Sequence, residues 1–188
     1  ANNGTIFHTR QFLSYHPPGR FIDHSLLIYK KDKPYILFPA AEREIEGKHF
    51  LVSHPGTSYG SFIVPAELPF ADSYKIVESL LSYAKSQKFD GIRLTPPPTI
   101  YSNRLSNYIE FALLQHGFTY LKREISSILF LESTVKQNLE KFKDSHLRAV
   151  RKAIIGRVEV REFDTFEEFY EILQNNLKMI HNVISKQT

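Results

Sequence analysis

The run FLVSHPGTSYGSFIVP, residues 50–65, decides how the rest of the chain is read. Phe50-Leu51-Val52-Ser53 is short, aromatic and aliphatic, and reads as a strand. It stops at His54-Pro55-Gly56-Thr57-Ser58-Tyr59-Gly60, where two glycines and a proline break any regular period. Phe62-Ile63-Val64 is extended up to Pro65. Ile76, Val77, Leu80, Leu81 and Ala84 then recur at helical spacing, with Asp72 or Ser73 as the cap and Asp90-Gly91 as the stop. Ile92-Arg93-Leu94-Thr95 is apolar around one arginine, like an internal strand, and Pro96-Pro97-Pro98 closes it. Strand, helix, strand in that order is the crossover unit that joins parallel strands.

Upstream, Thr9 is placed to cap a short helix through Gln11, Phe12, Leu13 and Tyr15, which Pro17-Pro18-Gly19 stops. Ser25–Tyr29 and Tyr35–Phe38 flank the charged turn Lys30-Lys31-Asp32-Lys33 and read as an antiparallel hairpin. Residues 41–49 are polar and contain Gly47; they read as a loop or a ragged hairpin. Downstream, Leu105, Tyr108, Ile109, Ala112 and Leu113 share a helix face that Gly117 ends. Thr119–Glu132 is rich in strand formers and is expected to be one bent strand or two. Together these elements predict an α/β (α+β mixed) fold, a mixed central sheet with helices on its faces, formed by residues 1–133.

After Glu132 the character changes. Residues 134–161 carry 8 basic and 3 acidic side chains, whereas residues 1–133 carry 14 and 12. Lys136–Ile155 reads as one basic helix, Val158-Glu159-Val160 as a short strand, and Thr165, with Glu168 at capping-box spacing, as the start of another helix. Phe166, Phe169, Tyr170, Leu173, Leu177, Ile180 and Ile184 form its apolar stripe. Residues 134–188 therefore read as the start of a second unit in a chain that continues past Thr188, or as an extension packed back on the first.

The 188 residues contain no cysteine, which excludes disulfides, a thiol nucleophile and thiolate-bound zinc or iron–sulfur clusters. No apolar run reaches the length of a membrane span, and no signal-peptide pattern is present. Generic catalytic motifs and DNA-reading motifs are missing, and the histidine spacings do not form a metal set, so no metal site is expected. Three places remain. In residues 53–60, His54 and Tyr59 are catalytic candidates and Thr57 and Ser58 candidate substrate contacts, against an ordinary β-connection. Arg93 is either an anion clamp at the sheet edge or a solvent-facing strand residue. Arg148, Arg151 and Lys152, near His146 and Arg157, are candidate anion contacts or a solvated helix face.

Phe12–Pro17, Arg20–Asp23, Ser25–Tyr29 and Leu37–Ala40 resemble the N-terminal half of Fem-type aminoacyltransferases, or of the related GCN5-related acetyltransferase-like family. Ser53–Gly60 adds to that resemblance, as does His146–Ile154 ahead of Val158-Glu159-Val160. It implies a GCN5-related acyltransferase-like (GNAT) fold, often doubled. It also implies acyl or aminoacyl transfer to an amine acceptor such as a peptidoglycan precursor. The implied donor is aminoacyl-tRNA or acyl-CoA, and the implied partners are tRNA or another anionic ligand. The implied location is the cytoplasm, at the inner face of the membrane, with peripheral membrane or cell-wall-precursor contact. The Gln/Arg-Xaa-Xaa-Gly-Xaa-Gly/Ala pyrophosphate loop of acetyl-CoA enzymes is missing, so no cofactor motif is evident. The other reading is a noncatalytic envelope- or carbohydrate-associated module that keeps the fold.

Overall fold

The computed structural model describes residues 1–160, 162, 164 and 166–181, in two compact units, residues 1–127 and 128–188. In the first unit Thr9 caps α1 (Arg10–Leu13), its hydroxyl accepting from the Phe12 N–H at 3.2 Å. β1 (Ile22–Asp23) and β2 (Leu26–Lys30) run back along β3 (Lys33–Phe38) and β4 (Ala41–Ile45). β2 pairs with β3 and β1 with β4, all antiparallel. Lys31 and Asp32 turn the first hairpin with φ of 50° and 58°, the left-handed pair that a two-residue hairpin loop requires.

Of the two readings of residues 41–49, loop or ragged hairpin, the structure takes the hairpin, and a regular one. The hairpin pairs β4 with β5 (Lys48–Ser53) from Ala41↔Val52 to Ile45↔Lys48, closed by Glu46 and Gly47 at φ 53° and 73°. Its outer residues are solvated, which is why the stretch is polar although it is a ladder. α2 (Phe70–Ser86) then crosses over, and β6 (Gly91–Leu94) lies parallel to β5. The sheet order is β1-β4-β5-β6, with β2-β3 as a separate two-stranded ribbon.

α2 begins earlier than its sequence suggests. Pro69 is its cap, and Asp72 and Ser73 lie inside the first turn. Asp72 is used elsewhere: it accepts from Lys30 and, at 2.8 Å, from the Tyr35 hydroxyl, tying the first hairpin to the helix. Burial together with that carboxylate pushes the Tyr35 phenol up to about 12. One face of the sheet meets the helices. Ile36, Phe38, Leu51, Phe62 and Val64 pack with Ile76, Val77 and Leu80 of α2 and with Ala112 and Leu113 of α3 (Tyr108–Gln115). The result is a mixed α/β fold with a central sheet flanked by helices.

α3 starts at Tyr108, leaving Leu105 outside it and 75% exposed. The expected strand over Thr119–Glu132 does not form. None of these residues joins a ladder, and Ile125 is 99% exposed, so β propensity goes unmet where no neighbouring strand supplies hydrogen bonds.

In the second unit the expected single basic helix is two, α4 (Val135–Glu140) and α5 (Asp144–Ile155). Lys143 is extended, at φ −66° and ψ 153°, and Asp144 opens α5, where a carboxylate favours the positive end of the helix. Thr134 caps α4 by accepting from the Gln137 N–H. Val158–Val160 is not a strand; Val160 is 98% exposed and has no ladder partner among the described residues. α6 spans Phe166–His181, with Phe166, Phe169 and Ile180 exposed. Thr165, and with it the expected capping box, lies outside the described residues, as does Ile184.

Candidate functional site

Alternation along the strands sends Leu51 and Ile92 toward α2, and Arg43, Phe50, Val52 and Arg93 to the opposite face. On that second face a cleft of about 380 Å³ opens between the β4–β5 hairpin, β6 and the turn after β5. Arg43, Glu44, Val52, His54, Thr57 and Arg93 are among its lining residues, together with Gly56 and Thr95. The structure thus brings His54, Thr57 and Arg93 into one site. Ser58 and Tyr59 are not in it. Tyr59 turns away to pack edge-on against Phe7 at 4.9 Å and beside Tyr101 at 5.6 Å. The bond to Tyr101, followed by burial, raises its phenol above the ordinary value, so it is no ready proton acceptor.

Several independent contacts fix the turn. The Ser53 hydroxyl donates to the Pro39 carbonyl and accepts from the Ser61 N–H at 2.8 Å. The Gly60 N–H donates to the Thr95 carbonyl at 2.8 Å. The Gly60 carbonyl accepts from Nε2 of His8 at 3.1 Å, while Nδ1 of His8 accepts from the Thr5 N–H. At Gly60 a Cβ would lie 2.6 Å from the backbone of Ser53 and His54, so only glycine fits. The Thr57 hydroxyl is spent on the His54 and Tyr59 carbonyls, leaving its oxygen lone pairs to accept.

His54 is buried, with its ring against the edge of Phe21. Its Nδ1–H donates to the Pro55 carbonyl at 2.6 Å, which leaves the lone pair on Nε2. Nε2 has no partner among the described residues and is not sealed from solvent. Burial, the largest influence, holds the imidazole below the ordinary histidine range, so it is neutral at neutral pH. A neutral imidazole with a fixed tautomer and an unpartnered nitrogen is equipped to accept a proton.

Arg93 rests against the Phe50 ring, its guanidinium carbon 5.8 Å from the centroid. Reading the sequence alone misses Arg43, because residues 41–49 leave loop and ragged hairpin both open and so fix no register. The alternation Ala41-Glu42-Arg43-Glu44-Ile45 ahead of Glu46-Gly47 is the signal that places it on the face of Arg93. Arg148, Arg151 and Lys152 belong to the second unit, all exposed on α5 and free of carboxylate partners among the described residues. Among the described residues no group of three or more His, Asp or Glu is placed to hold a metal, and no helix is long and apolar enough to cross a membrane.

No family model matches the chain, and no curated protein matches it. Among solved structures, the crystal structure of a point mutant of TTHA1254 from Thermus thermophilus is similar to 60% of this chain and to 75% of its own. The identity is 14% and the TM-score 0.38, a likeness too distant to carry a statement about fold or function.

Proposed function

We infer that the chain is an acyl- or aminoacyltransferase-like protein acting on an amine acceptor, with a cell-wall precursor as the candidate acceptor. The observation that carries this reading is the unpartnered Nε2 of a neutral, tautomer-fixed His54, a residue that lines the sheet-face cleft. Acyl transfer to an amine uses such a group. The ammonium of the acceptor first gives one proton to solvent, and the neutral amine attacks the donor carbonyl while Nε2 takes the second proton from its nitrogen. The tetrahedral oxyanion then collapses to the neutral amide, breaking the bond to the donor alcohol or thiol, which leaves with the proton returned by His54. Arg93 is one of the cleft's two arginine donors for the developing negative charge, and Thr57 offers an acceptor to orient the incoming amine.

The antiparallel run from β1 to β5 followed by the parallel β5–α2–β6 crossover supports a GCN5-related acyltransferase-like architecture. The donor classes are aminoacyl-tRNA and acyl-CoA. Arg148, Arg151 and Lys152 on α5, unpaired among the described residues, support contact with a phosphate backbone.

The test supplies each donor with a panel of primary amines and compares the chain with His54→Gln. Transfer that falls at least a hundredfold in the folded variant supports the reading. No transfer from either donor by folded protein containing the complete reading frame abandons it in favour of the noncatalytic envelope- or carbohydrate-associated module.

A further inference from the structure

We propose that Arg43 and Arg93 form a phosphate-binding site that straddles β5 on the sheet face opposite α2. Arg43 lies on β4 opposite Phe50, and Arg93 lies on β6 opposite Val52. Strands sit about 4.8 Å apart and the two positions are offset by two residues along β5, so their Cα atoms are roughly 12 Å apart, a span that two arginine side chains close. Both line the same cleft of about 380 Å³, large enough for a diphosphate with room to spare for what it is attached to.

Neither guanidinium is committed elsewhere. Arg43 and Arg93 have no ion pair and no hydrogen bond to any described residue. Glu44, the one carboxylate in the lining, forms no ion pair with a described residue and leaves the lining net positive. Arg93 is also held in place. Its plane has the Phe50 ring beside it, and that ring lies over Gly91, where a Cβ would come within 2.4 Å of it. An arginine propped on an aromatic ring loses less freedom when it binds an anion.

Two unpaired guanidiniums favour phosphate over carboxylate. A carboxylate has two oxygens and one charge, which a single arginine fork satisfies. A phosphate or diphosphate presents three or more oxygens and at least a second charge, matching both forks at once. The Thr95 hydroxyl, a further lining group with no side-chain partner among the described residues, adds a neutral donor.

The proposal rests on the transferase reading in naming the substrate class of the same cleft: a donor or acceptor that carries a phosphate group. Binding is measured without any transfer, so the two can fail separately. Isothermal titration of the full chain with inorganic pyrophosphate and with orthophosphate should give saturable binding that weakens with salt. Arg43→Gln and Arg93→Gln should each weaken it by about tenfold or more. Lys33→Gln removes the same charge from β3, outside the cleft, and should change it less than about twofold. Succinate and acetate should bind far more weakly than pyrophosphate.

Arg43 is exposed, so Arg43→Gln keeps its fold and decides alone where Arg93→Gln melts early. Absence of binding, binding indifferent to Arg43→Gln, equal loss in Lys33→Gln, or succinate binding as tightly as pyrophosphate each overturns the site. Phosphate binding without transfer leaves the site standing and defeats the transferase reading.

Discussion

At Gly56 the backbone runs at φ 83°, and a Cβ there would sit 2.6 Å from Nε2 of His16 and 2.8 Å from the Phe21 ring. Gly47 shares the left-handed backbone, at φ 73°, but faces open space. Comparing alanine at the two positions therefore separates backbone preference from packing. Gly47→Ala should cost about 1 kcal/mol. Gly56→Ala should cost at least about 1 kcal/mol more, because two rings must move. Urea unfolding measures both, and equal losses would remove packing from the explanation of this turn. The neighbouring His54 makes a second prediction. Burial lowers its pKa, so the unfolded chain binds its proton more readily than the folded one. Its contribution to stability is complete above the ordinary histidine value of about 6.5 and is lost as pH falls below it. Transfer activity that depends on neutral His54 should persist somewhat below that pH and then fail. An acid limb unchanged in the folded His54→Gln variant would assign it to another group.

Elements are joined at a bracket away from the cleft. Glu42 on β4 pairs with Nδ1 of His24 at 2.6 Å and with Nε2 of His49 on β5 at 2.9 Å, while Nε2 of His24 meets the Tyr83 hydroxyl of α2 at 2.7 Å. The bond from His24, and after it the bond from His49, holds the Glu42 carboxyl below its ordinary value. A depressed carboxyl contributes stability that is present above the unfolded pKa of about 4.3 and is lost as pH falls through the folded one. Glu42→Gln should therefore flatten the loss of stability below about pH 4.3, read from denaturant midpoints across pH; an unchanged slope removes the bracket from acid unfolding. Beneath it Leu80 is 1% exposed in the shared core. Leu80→Asp should destabilise by about 4 kcal/mol or more, by thermal or urea unfolding, since it removes a packed side chain and buries a charge. Leu80 was legible in the sequence because a 17-residue helix repeats its period often enough to declare its face. The β4–β5 hairpin was legible only as one of two readings, a ragged hairpin or a loop, since solvated strand faces look like loops. Thr119–Glu132 misled in the other direction, because β-rich composition says nothing about whether a partner strand is in reach. The same blindness hid Arg43: the site's turn could be read locally, but the residue across the sheet depends on a register that only pairing reveals.

Charge is distributed unevenly over the whole molecule, and that asymmetry makes its own demand. Residues 1–133 carry a net charge of +2, residues 134–161 a net +5, and residues 162–188 a net −3. The basic excess lies in residues 134–161, and on α5 it is presented rather than neutralised: Arg148, Arg151 and Lys152 are exposed and make no ion pair with a described residue. If these cations neutralise backbone phosphates of a charged tRNA, binding releases counterions, and affinity falls with salt in proportion to the number of contacts. Replacing all three with Gln should weaken RNA binding about uniformly across sequences and reduce the log–log salt slope by up to about 3. Thermal unfolding should hardly move, since exposed charges contribute little to stability. Charged tRNA, uncharged tRNA and acetyl-CoA, each titrated at several salt concentrations, separate the alternatives. A helix that serves the donor gives tRNA binding with a shallower slope in the triple variant and a matching loss of aminoacyl transfer. RNA binding that ignores both salt and the triple replacement excludes α5 as the contact. Transfer from acetyl-CoA alone, with no response to tRNA, places the chain among the broader acyltransferases and leaves the basic helix a solvated face.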